Sequence, residues 1–535
     1  MAAIAAHADE RTNVRVTIEP TASGATARFA FDRPVQSFRL SYVADDTRDR
    51  TWKITTPGLT REGTLITNSD GRTFDAITVD VEARNEQTDA AYPCLFRVGT
   101  DGFAFYAGYF TGIEEEFATT IEVPQAGNRV IVGFPLDGNT WRVDAGFHRN
   151  TAHRYIYVGP PAYFSESRNA RFVLPSDAAP ALRERIRGNV DGAIEFYARK
   201  VGRRLPVKPL IILAPNTDST NNGNQGDTTT GPTVALRLFG KRWLTFDPKS
   251  DDFDHLIAHE AAHFWNADTF HAAEGSPAWL WEGGAELWAL DARVAVMRRL
   301  TVRGRSDHIE RALNACVSSL LDRPFTGHRS NATYVCGETL YWLADVIAKK
   351  RSNGRKDIFT LWRQIFDKAE SSGGIYTANE VFERAAPTPQ AKEAFALFLA
   401  DEGYERWQTL PARLKPFGVN LLAQPPTNET LRDAMIVHML DLYCEGTRGM
   451  WREDDHMKLD TGDRCGPLSG DPEIDTLNGY SLYSDLPAAH AALKQACEQN
   501  TDVTFTRTGK PDKVTAACTK PLPPSPPNFR IVSTP

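Results

Sequence analysis

The hydrophobic rhythm of the chain changes twice. From about residue 13 to residue 173, apolar and polar side chains alternate in short runs, as in Val14-Arg15-Val16-Thr17-Ile18, Ala27-Arg28-Phe29-Ala30-Phe31 and Ala76-Ile77-Thr78-Val79-Asp80-Val81. A period of two puts one face of a strand on a core and the other in water. Turn formers such as Asn68-Ser69-Asp70-Gly71 cut these runs, so the stretch predicts an antiparallel β-sandwich or an open curved sheet. After Pro175 the spacing lengthens to that of a helix, with Ser176-Asp177 as a cap and Leu182, Ile186, Val190, Ile194 and Tyr197 on one face. Residues 210–213 and 233–238 read as buried strands, and residues 216–231, rich in Asn, Thr and Gly, read as a loop between them.

From 253 to about 404 the pattern is mostly helical, with amphipathic segments at 345–347, 358–362 and 394–398. The last hundred residues change again. Strand and turn at 473–479 precede a helix from Pro487 to about Cys497, a strand at 503–507 and a turn at 508–510. Residues 521–527 are proline-rich and read as the start of a disordered or extended tail. The expected fold class is multidomain α+β. A β-rich domain spans 1–173, an α/β domain with a helical second part spans 174–425, and a smaller domain spans 426–535.

Composition narrows the function classes. A chain of 535 residues exceeds one ordinary core. Its 41% hydrophobic and 24% charged content is that of a soluble globular protein. A net charge of −7 argues against nucleic-acid binding through bulk positive charge. No uninterrupted apolar run approaches the ~18 residues that cross a bilayer. The opening MAAIAAHADE lacks the basic and apolar regions of a secretory signal, and its small residues fit the end of a removed signal or a plain disordered start equally well. Six of the seven cysteines fall into neighbouring pairs with similar gaps: Cys316 and Cys336, Cys444 and Cys465, Cys497 and Cys518, leaving Cys94 over. Either these are reduced core thiols of a cytoplasmic protein, or they are disulfides of a periplasmic or secreted one; four cysteines in the last hundred residues favour the second.

The chemistry concentrates at His259-Glu260-Ala261-Ala262-His263, in helical surroundings. Residues four apart share a helix face, so both imidazoles can reach one ion, while Glu260 lies on the flank where it can reach a water. Glu282 follows His263 after an 18-residue spacer and opens another helical run, which makes it the candidate third ligand. Asp268 and His271 are weaker alternatives, and His255, one turn before His259, reads as a packing or surface residue because three imidazoles along one face do not fit one tetrahedral ion.

HExxH followed after eighteen residues by Glu in a Glu282-Gly283 context resembles the gluzincin zinc metallopeptidases related to aminopeptidase N. Phe264-Trp265-Asn266, with a β-rich front and a back half resembling a PDZ domain, is more similar to the glycyl aminopeptidase family. The resemblance implies a β-sandwich-like first domain, a thermolysin-like second with a helical bundle and a PDZ-like third. It implies one Zn²⁺ on His259, His263 and Glu282, Glu260 as general base, and a peptide substrate. It also implies a tyrosine that stabilises the oxyanion, and Tyr334, in Tyr334-Val335-Cys336-Gly337, matches that motif 52 residues beyond Glu282. Glu286 is either a carboxylate that orients a ligand histidine or part of a solvated face. One departure bears on specificity. Such aminopeptidases carry a Glu on an edge strand before HExxH that binds the substrate α-amine. The strand at 231–238 has no acid, and Asp227 is the nearest substitute, so beside aminopeptidase action stand two alternatives: an endopeptidase lacking the amine anchor, or a peptide-binding protein with a structural zinc site.

Overall fold

In a computed structural model of the protein, the described residues are 11–535 without 44–46, 86–91, 125–127, 134–139, 143–152, 220–222, 245–251, 299, 322–323, 327–330, 446–448, 454, 510–512 and 526. The small-residue run at 2–6 and Lys510 of the expected 508–510 turn therefore lie outside the described residues. The chain divides into two units, one of residues 1–195 and 205–264, the other of 196–204 and 265–535.

In the first unit the alternating runs form a six-stranded sheet in which Gly24–Val35 lies between Thr12–Pro20 and Phe74–Glu82, antiparallel to both. Val14, Val16 and Ile18 point to the core, as their period of two requires. The sheet is nevertheless mixed, because Thr12–Pro20 pairs in parallel with Phe117–Glu122. Alternation fixes which face is buried but says nothing about the direction of the partner strand. A four-stranded sheet built around Gly102–Tyr106 and Tyr155–Gly159 and a three-stranded sheet complete this part. Phe29, Phe31, Phe38 and Phe117 meet at tilted or edge-on angles in a core that continues to Val173, Leu210, Ile212 and Ala235.

Those last residues belong to a five-stranded sheet of Phe164–Glu166, Arg171–Val173, Leu210–Asn216, Thr233–Phe239 and Gly223–Thr229, in that order. Its last strand corrects the expectation of a loop at 216–231. Gly223–Thr229 pairs antiparallel with Thr233–Phe239 from Gly223 opposite Phe239 to Thr229 opposite Thr233. Its Asn, Thr and Gly content gives a turn-like signal, but an edge strand needs only one neighbour to satisfy its backbone and tolerates polar residues. The turn is the short link at 230–232, where Gly231 takes φ +73°. The edge strand is thus the earlier of the two, and Thr233–Phe239 lies inside the sheet. The helix Asp252–His263 lies against the edge strand.

The second unit is mostly helical through Arg406–Leu414. Asp357 and Thr377 form reciprocal capping boxes at the starts of Ile358–Glu370 and Ala378–Ala385. Trp288, Phe359, Trp362 and Phe366 form its aromatic core. Towards the C-terminus the helix Leu486–Gln499 accompanies a four-stranded sheet that includes Thr476–Leu477 and Asp502–Thr506, close to the expected positions. Cys316–Cys336, Cys444–Cys465 and Cys497–Cys518 are disulfides, as their neighbouring spacing suggested, and Cys94 is buried and unbridged. The proline-rich stretch leads into a strand, Asn528–Ser533, paired with Asn420–Gln424. Asn314 seals it by bonding both the N–H and the carbonyl of Phe529, at 2.7 and 2.9 Å. Among the described residues, no helix is long and apolar enough to cross a membrane.

Candidate metal centre

The first unit holds the HExxH helix with both of its imidazoles. The helix Asp252–His263 is anchored near its start by Asp254, which is fully buried and accepts hydrogen bonds from Arg185 Nε at 2.7 Å, Arg185 Nη2 and Asn189 Nδ2. An acid in the first turn also complements the helix dipole. At the other end His259 and His263, each 6% exposed, turn their Nε2 atoms to within 3.0 Å of one another. One neutral imidazole can donate to the other across this distance, and the same two nitrogens, turned to one buried spot, are lone-pair donors suited to one divalent ion. His255 is half-buried one turn earlier, its ring 6.2 Å from that of His259.

Glu260 is buried and lies across the edge strand. Its Oε2 accepts a hydrogen bond from Thr228 Oγ1, and a Cβ added at Gly226 would come within 2.6 Å of its Cγ and Oε1. Gly226 and Thr228 thus share the face against Glu260, and Asp227 between them points the other way. There Arg237 Nε and Nη2 donate to Asp227 at 2.9 and 3.2 Å, and the Tyr155 hydroxyl lies 3.5 Å from it. Asp227 and Arg237 are 12% and 2% exposed. Asp227 is therefore held firmly, contrary to the expectation of a loose loop acid, but on the face away from Glu260.

The second unit, taken by itself, holds Glu282, Glu286 and Tyr334. Glu282 lies in the first turn of the helix Trp279–Ala292, where Trp281 Nε1 donates to its Oε1 at 3.1 Å. Asn266, three residues after His263 in sequence, donates to the Trp281 carbonyl at 2.9 Å and accepts from the Tyr376 hydroxyl on its own carbonyl at 2.6 Å. Burial, and then the negative charge of Glu282, push the Tyr376 phenol well above its ordinary pKa. Tyr334 is 42% exposed near the start of the helix Asn331–Ser352. The glycines of the two motifs explain how their helices meet. A Cβ at Gly283 would lie 2.3 Å from the backbone of Gly337, so these helices cross at backbone contact. Tyr341 reinforces the crossing through its hydroxyl, which donates to the Leu280 carbonyl at 2.6 Å. Asp268 sits in the widened turns of Phe264–Thr269 and His271 in the two-residue strand His271–Ala272.

Glu286 is grouped with His308 and Glu338, their ligating atoms all within 4.8 Å. Burial opposes a charge on His308, but the hydrogen bond and charge of Glu338, with the charge of Glu286, outweigh it and raise the imidazole pKa. His308, Glu338, Thr228 and Gly226 carried no signal in the sequence, whereas Asn266 stood in the Phe264-Trp265-Asn266 motif without an assigned role.

With this geometry in hand, comparison with known proteins adds the fold. An aminopeptidase N family protein from Idiomarina loihiensis superposes with a TM-score of 0.59 over 97% of this chain and 98% of that one, at 13% identity. The fold is shared. The M1 zinc metallopeptidase from Deinococcus radiodurans (TM-score 0.39, 12% identity, 76% of this chain and 92% of that one) and yeast LTA4 hydrolase (0.39, 14%, 81% and 74%) are more distant. No protein-family model and no curated protein matches the chain.

Proposed function

We propose that this chain hydrolyses peptides with one zinc ion held by His259, His263 and Glu282. The observation that carries the reading is the buried pair of imidazoles with their Nε2 atoms 3.0 Å apart beside the buried carboxylate of Glu260. The shared fold and the motif spacing support it. When bound, zinc supplies a Lewis acid that acidifies water and polarises a carbonyl. Glu260 takes the proton of the attacking water and passes it to the leaving amine. Tyr334, an exposed phenol on a fixed helix, donates a hydrogen bond to the developing oxyanion. Asn266 and Trp281 fix the start of the Glu282 helix and one oxygen of Glu282. Gly223–Thr229 is the last strand of its sheet among the described residues, and its outer edge is the place for an extended substrate to pair, which gives binding without strong sequence selectivity.

Aminopeptidase action is the family expectation. A second reading, cleavage within the chain, is favoured by the side-chain pairing of Asp227 with Arg237, which leaves that acid unsuited to hold an α-amine. The domain bounds 1–173, 174–425 and 426–535, and the PDZ-like character of the last, belong to the same reading. Three disulfides support a periplasmic or secreted location. Metal analysis tests the centre: about one zinc per chain is expected, and full occupancy in His263→Ala would remove the ligand assignment. Peptides with free and acetylated N-termini separate the two modes of cleavage, since acetylation abolishes only the amine-dependent one.

A further inference from the structure

The edge strand does more than offer backbone to a substrate. It grips Glu260 at two points. Thr228 Oγ1 donates to Oε2, and the same hydroxyl lies 3.3 Å from the Glu260 carbonyl, so both acceptors in its reach belong to one residue. Two positions earlier the absence of a side chain at Gly226 leaves the space in which the carboxylate lies, because a Cβ there would come within 2.7 Å of its Cδ. The strand is itself held: Trp243 Nε1 donates to the Gly223 carbonyl at 2.9 Å, and Thr228 and Thr229 are in register with Val234 and Thr233.

We infer that Thr228 is a positioning residue for Glu260: its hydroxyl pins one carboxylate oxygen and thereby sets the direction in which the other accepts a proton, with Gly226 providing the room. The inference rests on the proposed role of Glu260 as base. A carboxylate has two soft torsions near its head group, and a buried one without a fixed partner samples orientations that do not address the water. A hydroxyl on a β-branched residue in a paired strand is a rigid donor, because its χ1 is restricted and its backbone cannot shift. The charge-assisted bond it makes is short and directional.

The test uses the full zinc-loaded protein with Thr228→Val, Thr228→Ser and Gly226→Ala. Valine keeps the shape and strand preference and removes only the donor. Thr228→Val is expected to lower kcat on the order of 10²-fold with KM, zinc content and thermal midpoint near wild type, because the loss is one of aim rather than of binding. Thr228→Ser, which restores the hydroxyl, recovers most of it. Gly226→Ala displaces the carboxylate and falls in the same direction as Thr228→Val. Placed in a Glu260→Gln background, Thr228→Val should add little, since residues acting as a unit are not additive. Equal turnover in the valine and wild-type proteins overturns the inference, as does an equal further loss in the Glu260→Gln background. A crystal structure of zinc-loaded Thr228→Val decides the matter independently of activity: a rotated Glu260 carboxylate supports the role, and an unmoved one removes it even if Glu260 proves not to be the base.

Discussion

At the scale of single residues, the parts of the candidate site that could be read in advance are those encoded by local spacing. Two histidines four apart on a helix must share a face, and the structure has their nitrogens converging. Glu260→Gln keeps the shape of the base without its proton affinity, so zinc should stay bound while turnover falls ~10²–10⁴-fold; metal content and kcat measured on one preparation check both halves. Thr228 and Gly226 were invisible because their role depends on a strand meeting a helix, which no local pattern records. His308 was equally hidden. Its pKa is raised in the folded state, so the charged imidazole contributes stability in full below its ordinary value near 6.5 and loses it as pH climbs through the raised value. Urea unfolding across that window should show the advantage of wild type over His308→Gln shrinking as pH increases, and a gap that stays constant would mean that His308 does not titrate there.

Elements were legible where one periodicity ran long enough, as in Pro180–Val201, and illegible where composition misled, as in the polar edge strand Gly223–Thr229. Their crossings were not legible at all, although the glycines that permit one were in plain view in the two motifs. Gly337→Ala puts a methyl group 2.8 Å from the Gly283 Cα, and forcing the helices apart should cost about 1–3 kcal/mol in chemical denaturation. Because Glu282 and Tyr334 ride on these two helices, turnover should drop further than the stability loss alone accounts for. The anchor of the HExxH helix was also hidden, since Arg185 and Asn189 lie about seventy residues before Asp254 in sequence. Asp254→Ala removes a fully buried carboxylate together with its hydrogen bonds to Arg185 and Asn189, at a cost of about 3–5 kcal/mol. A denaturation midpoint close to wild type would show that the helix is held by its apolar face instead.

For the whole molecule, the clustering of four cysteines in the last hundred residues favoured disulfides without fixing their connectivity, and the parallel pairing of Thr12–Pro20 with Phe117–Glu122, which joins segments about a hundred residues apart, left no trace. Each bridge closes a loop of 20 or 21 residues, which on chain-entropy grounds is worth about 3 kcal/mol. Reduction should therefore lower the thermal midpoint markedly, and non-reducing peptide mapping should recover these three links with Cys94 alkylated only after unfolding. The strand Asn528–Ser533 has a different consequence. Asn314 and Glu310 of the helix Val302–Leu320 bond its backbone, and Phe529 is buried. A ribosome must therefore synthesise more than two hundred further residues before that helix meets its last neighbour. During translation Asn314 and Glu310 wait for the backbone groups they bond, and this part of the second unit is complete only when that strand has arrived.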